Sequence, residues 1–265
     1  MYNSLQLAKK YTKYYLTASN GKGHGIHSPF VFDFIKNVLK DKKQYDCYKS
    51  IEARRNFLIN DQQLITVEDF GAGSAVIKTN KRKVSDIAAS SLKLKKFAQL
   101  LFRIIHYYKP QNIIELGTSF GITTAYLASG NTHAKIFTCE GSAAIANIAR
   151  ENFKELELNN IELIEGDFTQ TLPSLLSRVK TVNLAFVDGN HRKESTLQYF
   201  EQLLSSSTSS TILIFDDIHW SHGMEKAWEQ VLQHPSVTLS IDLFFIGIVF
   251  FNTDFKIPQH FTIRF

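Results

Sequence analysis

Residues 113–129 read IIELGTSFGITTAYLAS, and residues 136–140 read IFTCE. The first stretch is an apolar run that ends in an acid, then a loop bounded by Gly117 and Gly121, then a helix-like segment with no gap. The second is another apolar run, and it ends in Glu140, 19 residues after Gly121. Open parallel sheets bind ligands at the carboxyl ends of their strands. There a glycine loop lets the backbone approach the ligand, and an acid closing the next strand can accept hydrogen bonds from ribose hydroxyls. The two stretches together predict a strand–loop–helix–strand unit that holds a nucleoside cofactor. The loop lacks the third glycine of the dinucleotide fingerprint, which counts against a nicotinamide.

A second glycine stretch, VEDFGAGS at 67–74, is followed by AVIKTNKRKVSD, which is basic and has no helical period. No acid-ended strand comes after it. Gly71 and Gly73 therefore read as turn residues, and with Lys78–Lys83 they are expected to form a lid or a wall on the substrate side.

Working outward, 91–108 carries Leu94, Phe97, Leu100, Leu101, Ile104, Ile105 and Tyr108 at helical spacing. Lys109-Pro110 ends that helix. From 112 to about 233 strand and helix patterns alternate five times, which predicts a parallel sheet covered by helices on both faces. The runs VTLSIDLFF, GIVFFN and FTIRF have no helix between them and predict antiparallel strands at the end. SSSTSS at 205–210 reads as a linker. In the front segment, 4–16, 29–40 and 44–59 read as helices, with Ser28 capping the second one ahead of Pro29. The expected class is α/β and doubly wound, with a largely helical front segment over 1–88 and the core over 89–265.

The chain has 265 residues, 44% of them hydrophobic and 12% aromatic, enough for a sizeable core. Cys47 and Cys139 match no metal or redox spacing, as expected of a reduced compartment. The start lacks the apolar region of a signal peptide. The longest apolar run, 243–251, is far shorter than the roughly 18–20 residues that cross a bilayer. A cytoplasmic protein with no membrane partner is the expectation. Residues 1–88 carry a net charge of +7 and the remainder −2. The basic residues are scattered, so a solvated surface is favoured over a nucleic-acid face.

The ordered set ELGTSFGITT, TCE, EGD (165–167), FVDGNH (186–191) and LIFDDIHW (213–220) resembles class I S-adenosylmethionine-dependent methyltransferases. The nearest type is the small-molecule O-methyltransferases of the catechol O-methyltransferase kind, over about residues 90–265. The resemblance implies a Rossmann-like methyltransferase fold with a mostly parallel seven-stranded sheet and antiparallel C-terminal strands. It implies that Glu115, Gly117, Thr118 and Gly121 hold the methionine end of S-adenosylmethionine, that Glu140 binds the ribose, and that Gly166 and Asp167 lie beside the adenine. Asp188 would face the methyl-transfer region.

Asp188, Asp216 and Asp217 would hold a divalent cation such as Mg²⁺, and His191 could act as general base. Two departures from the family pattern stand out. Asp217 occupies a position where the family commonly has Asn, and His191 stands where catechol-type enzymes have a lysine. His219 and Trp220 could line the acceptor pocket. His24 and His27 are weak metal candidates.

The expected activity is methyl transfer to a small-molecule acceptor, most often on a hydroxyl oxygen, in a chain that could pair as a homodimer. The alternatives are an RNA or protein methyltransferase and a non-catalytic cofactor-binding partner subunit.

Overall fold

The computed structural model describes residues 1–19, 21, 27–67 and 80–265. The VEDFGAGS turn, apart from Val67, lies outside the described residues, as do Lys78 and His24. In chain order the front segment forms helices α1 (Ser4–Thr17), α2 (Pro29–Phe34) and α3 (Cys47–Asn60), strands β1 (Leu64–Thr66) and β2 (Lys81–Lys83), and helix α4 (Val84–Ser91). Then come α5 (Lys95–Tyr108), β3 (Asn112–Leu116), α6 (Ile122–Gly130), β4 (Lys135–Glu140), α7 (Ala143–Glu155), β5 (Ile161–Glu165) and α8 (Phe168–Val179). The last part holds β6 (Val182–Val187), α9 (Lys193–Leu204), β7 (Ser207–Asp216), α10 (His222–Gln233), β8 (Leu239–Asp242), β9 (Ile246–Phe250) and β10 (Gln259–Thr262).

The chain divides into two compact units, one of residues 41–177 and one of residues 1–40 with 178–265. In the first, β3, β4 and β5 lie side by side and parallel. Leu116 pairs with Cys139, so the chain leaving β3 emerges beside the last residue of β4. α5 begins at Lys95, not at 91, and Leu94 before it is exposed, but its Phe97, Leu100, Leu101, Ile104 and Ile105 are all buried, as their spacing predicts. Each such side chain contributes about 1.5–3 kcal/mol relative to full exposure. The helix stops where Lys109 turns left-handed (φ 49°) ahead of Pro110. The front-segment elements α3 and α4 share one core with the glycine loop and the start of α6: Tyr48, Ile51, Leu58, Val84 and Ile87 pack with Phe120, Ile122 and Tyr126. The basic stretch at 81–83 is half of a small antiparallel hairpin, with Ile65 opposite Arg82.

In the second unit the strand order is β10-β8-β9-β7-β6. β6 and β7 are parallel, while β9 runs antiparallel to both β7 and β8. β10 is an added parallel edge beside β8, which brings the strands from β3 onward to eight. The 205–210 stretch is not a plain linker. Ser207–Ser210 open β7, because Ser207 finds a backbone partner in Val182, and the register then shifts before Leu184 pairs with Ile212. α2 begins at Pro29, but the Ser28 side chain makes no capping hydrogen bond. The turn after α2, Ile35–Leu39, is π-helical.

α1 lays Tyr14 and Ala18 against Phe244, with Leu7, Tyr11 and Phe245 around them. The buried Tyr14 hydroxyl donates to the Ile263 carbonyl at 2.5 Å and accepts from the Phe265 amide at 3.1 Å. Among the described residues, no helix is long and apolar enough to cross a membrane.

Tyr14→Phe leaves a buried carbonyl and an amide without this partner. It should lower unfolding stability by about 1–3 kcal/mol, read as a lower urea midpoint at unchanged slope.

Candidate functional site

The glycine loop is built from β3 outward. Gly117 (φ 104°) and Gly121 (φ 77°) both take backbone conformations that favour glycine. A Cβ at Gly121 would also collide with the Phe153 ring. The amides of Gly117 and Thr118 both donate to the Cys139 carbonyl, at 3.0 and 3.1 Å, which folds the loop over the end of β4. Gly121 then serves as the residue before α6.

Glu140, at the end of β4, fixes this arrangement. Its Oε2 accepts from the Ser119 amide at 2.9 Å and its Oε1 from the Ser142 amide at 3.0 Å. Gly166 (φ 130°) donates its amide to the Glu140 carbonyl at 2.9 Å, so the turn after β5 is tied to the same residue.

Asp167 sits beside it, but its Oδ1 accepts from both the amide and the hydroxyl of Thr169, at 2.7 Å each. That is a helix-capping role at the start of α8, made through Oδ1.

Glu115 is fully buried beneath the loop. Its Oε2 accepts from Thr124 and Thr138 hydroxyls at 2.5 and 2.6 Å. Thr138 has one proton and gives it to Glu115, so the Thr118 hydroxyl, 2.6 Å away, donates to Thr138. Burial pushes the Glu115 carboxyl up to about 7. Burial likewise pushes the Cys139 thiol up to about 12, which leaves it a poor nucleophile.

Two braces were not anticipated from the sequence. Asn152 on α7 is buried and donates to the Phe120 carbonyl at 2.7 Å, and Arg54 on α3 donates to the Asn152 side chain. The available signal was a polar Asn152 four residues after Ile148 on a helix face that is otherwise apolar. A surface groove of about 670 Å³ beside α3, lined by Tyr45, Lys49 and Lys95 among others, includes none of the candidate site residues.

The other acids meet at the ends of β6 and β7. Val187 pairs with Phe215, so Asp188 and Asp216 leave adjacent parallel strands at the same level. Asn190 turns left-handed (φ 60°) and ties its side-chain amide to Ser195 at 2.9 Å. The turn brings His191 back, with its Nε2 3.6 Å from the Asp188 Oδ1. The Trp220 ring packs edge-on against His191 at 5.4 Å.

Among the described residues, Asp188, His191 and Asp216 form a group whose ligand atoms all lie within 4.8 Å of one another. Asp216 is buried; the other two are partly exposed. Asp217 is outside this group. It is left-handed (φ 55°), its amide donates to the Phe245 carbonyl and its carbonyl accepts from Trp220, so it shapes the turn. His219 is held by Asp242 at 2.8 Å and Glu225 at 3.3 Å and stacks on Phe244. These contacts bind it into the turn after β7 and, through Glu225, to Lys10 of α1. His27 is exposed.

Residues 114–218 match the family model described as a methyltransferase domain. Over 80 residues, 30% of this chain and 40% of the relative, the sequence is 35% identical to a tRNA (guanine-N(7)-)-methyltransferase of Mycoplasma mobile. Over 114 residues, 41% of this chain and 45% of the relative, it is 27% identical to an O-methyltransferase of Aspergillus flavus. The chain thus spans less than half the length of these curated relatives. An O-methyltransferase of Bacillus cereus, solved in complex with SAH, superposes with a TM-score of 0.55 at 20% identity, covering 83% of this chain and 97% of that one.

The fold is the Rossmann-like methyltransferase fold, mostly parallel with antiparallel C-terminal strands, as its motifs implied, and residues 114–218 carry the match to the methyltransferase-domain model.

Glu115 holds its proton more tightly in the folded protein than in the unfolded chain. Its stabilising contribution is therefore complete below about pH 4.5 and is lost as pH rises through about 7. In Glu115→Gln the stability measured by chemical denaturation should fall less between pH 5 and pH 7.5 than it does in the wild type.

Proposed function

We propose that this protein is an S-adenosylmethionine-dependent methyltransferase that moves a methyl group to a hydroxyl oxygen of a small-molecule acceptor. The observation that carries the reading is the glycine loop clasped by Glu140 through the Ser119 and Ser142 amides. The loop has the backbone freedom a nucleoside cofactor needs, and the clasp leaves a preset acid at the strand end. It supports the cofactor independently of the comparisons. When bound, the cofactor supplies a sulfonium methyl group open to in-line attack. Gly117, Thr118 and Gly121 would receive its methionine end and Glu140 its ribose. Gly166 would border the base, while Asp167 would contribute mainly by fixing the start of α8.

On the acceptor side, Asp188, His191 and Asp216 would take up the hydroxyl, orient it and accept its proton. Two carboxylates and an imidazole are suitable bases for that step near neutral pH. Residues 89–265 would carry the methyltransferase core, and residues 1–88 would furnish flanking helices, with α3 and α4 backing the loop. The Aspergillus flavus relative, an O-methyltransferase, favours oxygen as the target. The Mycoplasma mobile relative is the observation that favours a second reading, a methyltransferase on RNA.

Isothermal titration should show one S-adenosylmethionine site per chain. Glu140→Ala should weaken it by about 10-fold or more, since hydrogen bonds to a charged group are worth about 1.5–3 kcal/mol. Absence of binding in the wild type would sink the proposal. A gel shift at physiological salt separates the two acceptor classes: RNA binding that falls steeply with added salt would favour the second.

A further inference from the structure

The Asp188–His191–Asp216 group differs in its chemistry from the three-carboxylate set that the motif order implied. Its donors come from fixed places: Asp188 and Asp216 from paired strand ends, and His191 from a turn set by the left-handed Asn190. The imidazole stands 3.6 Å from the nearest Asp188 oxygen. That is longer than a good hydrogen bond. It matches the spacing of about 3–3.6 Å between neighbouring donors that share one ion at bonds of about 2.0–2.2 Å. Trp220, packed edge-on against the ring, limits how far His191 can swing away. The third donor, Asp216, is 1% exposed, so one side of the group is dry and held by the sheet.

From these observations we infer that Asp188, His191 and Asp216 bind a divalent transition metal ion of the Mn²⁺ or Co²⁺ class in preference to Mg²⁺. The reason is the ligand type. Carboxylates suit Mg²⁺, Ca²⁺ and Mn²⁺, whereas imidazole suits transition metals, so a site that mixes the two favours an ion that accepts both donor types over Mg²⁺, with affinity rising from Mn²⁺ to Co²⁺. Mg²⁺ also dehydrates reluctantly and keeps several waters, so a site offering three protein donors gives it less advantage. His191 is then a metal ligand, and Asp217, which lies outside the group, is not.

This deepens the acceptor-side reading above, because an ion held there would lend Lewis acidity to the acceptor hydroxyl, whose proton would then pass to a carboxylate oxygen or to water while the His191 ring serves as a ligand. Metal binding itself does not depend on that reading.

The test uses the full chain, stripped of metal by chelation, with binding measured by calorimetry for Mn²⁺ and Mg²⁺ separately. Mn²⁺ should bind at least about 10-fold more tightly than Mg²⁺. Pulsed electron paramagnetic resonance on the Mn²⁺ form should show coupling to an imidazole nitrogen. His191→Asp keeps an all-carboxylate site: the nitrogen coupling should vanish and the two affinities should converge. Asp216→Asn should weaken both ions.

Equal or tighter Mg²⁺ binding, no nitrogen coupling in the wild type, or an unchanged preference in His191→Asp would each overturn the inference. Circular dichroism melts on the variants separate ligand loss from unfolding. S-adenosylmethionine binding measured on the same samples keeps the two proposals apart. Cofactor binding without a metal preference rejects only the metal assignment, and a metal preference without cofactor binding rejects only the methyltransferase reading.

Discussion

In-register parallel pairing sets both groups of candidate residues. Parallel strands deliver their carboxyl ends to one edge, and the register decides which residues meet there. Leu116 opposite Cys139 puts the loop starting at Gly117 beside Glu140. Val187 opposite Phe215 puts Asp188 beside Asp216. A register slip of one residue would turn each of these side chains to the other face of the sheet. The strands resist such a slip because they are buried: Ile113, Ile114 and Leu116 on β3 and Leu184, Ala185 and Phe186 on β6 are all fully enclosed.

Around that constraint, polar groups are used to fix the backbone as much as to meet a ligand. Glu140 accepts two loop amides, Asn152 holds the Phe120 carbonyl, and Asp167 caps a helix. The cost of leaving such groups unpaired in a low-dielectric interior is what makes the loop conformation specific. The same logic explains the front segment. Its α3 and α4 supply apolar backing to Phe120 and Ile122, and Arg54 completes the Asn152 brace. α1 does corresponding work in the other unit, where Tyr2 and Lys10 meet Glu225, the partner of His219.

Some features could not be read from sequence because their cause is long-range. Ser207–Ser210 have the composition of a linker, yet they extend β7 once Val182 offers backbone partners. The Ser28 hydroxyl is the right type for a cap but makes no capping bond. Asp217 stands next to Asp216 at the place the resemblance assigns to the cation, but it is left-handed and lies outside the group that Asp188, His191 and Asp216 form. In each case residue type suggested a role, and the folded backbone assigned another.

By itself the sequence determined the alternation of strands and helices, the glycine loop that follows the first strand of the core at IIELGTSFG, and the acid at the end of the second strand. Those features rest on local periodicity and on glycine's conformational freedom, which are written residue by residue. Only the tertiary structure decided which donors converge. It joined His191 to Asp188 and Asp216, bound His219 to Asp242 and Glu225, and set Asn152 and Arg54 behind the loop. Such meetings depend on strand register and on turns with positive φ, and neither is visible in the identity of the residues that finally touch.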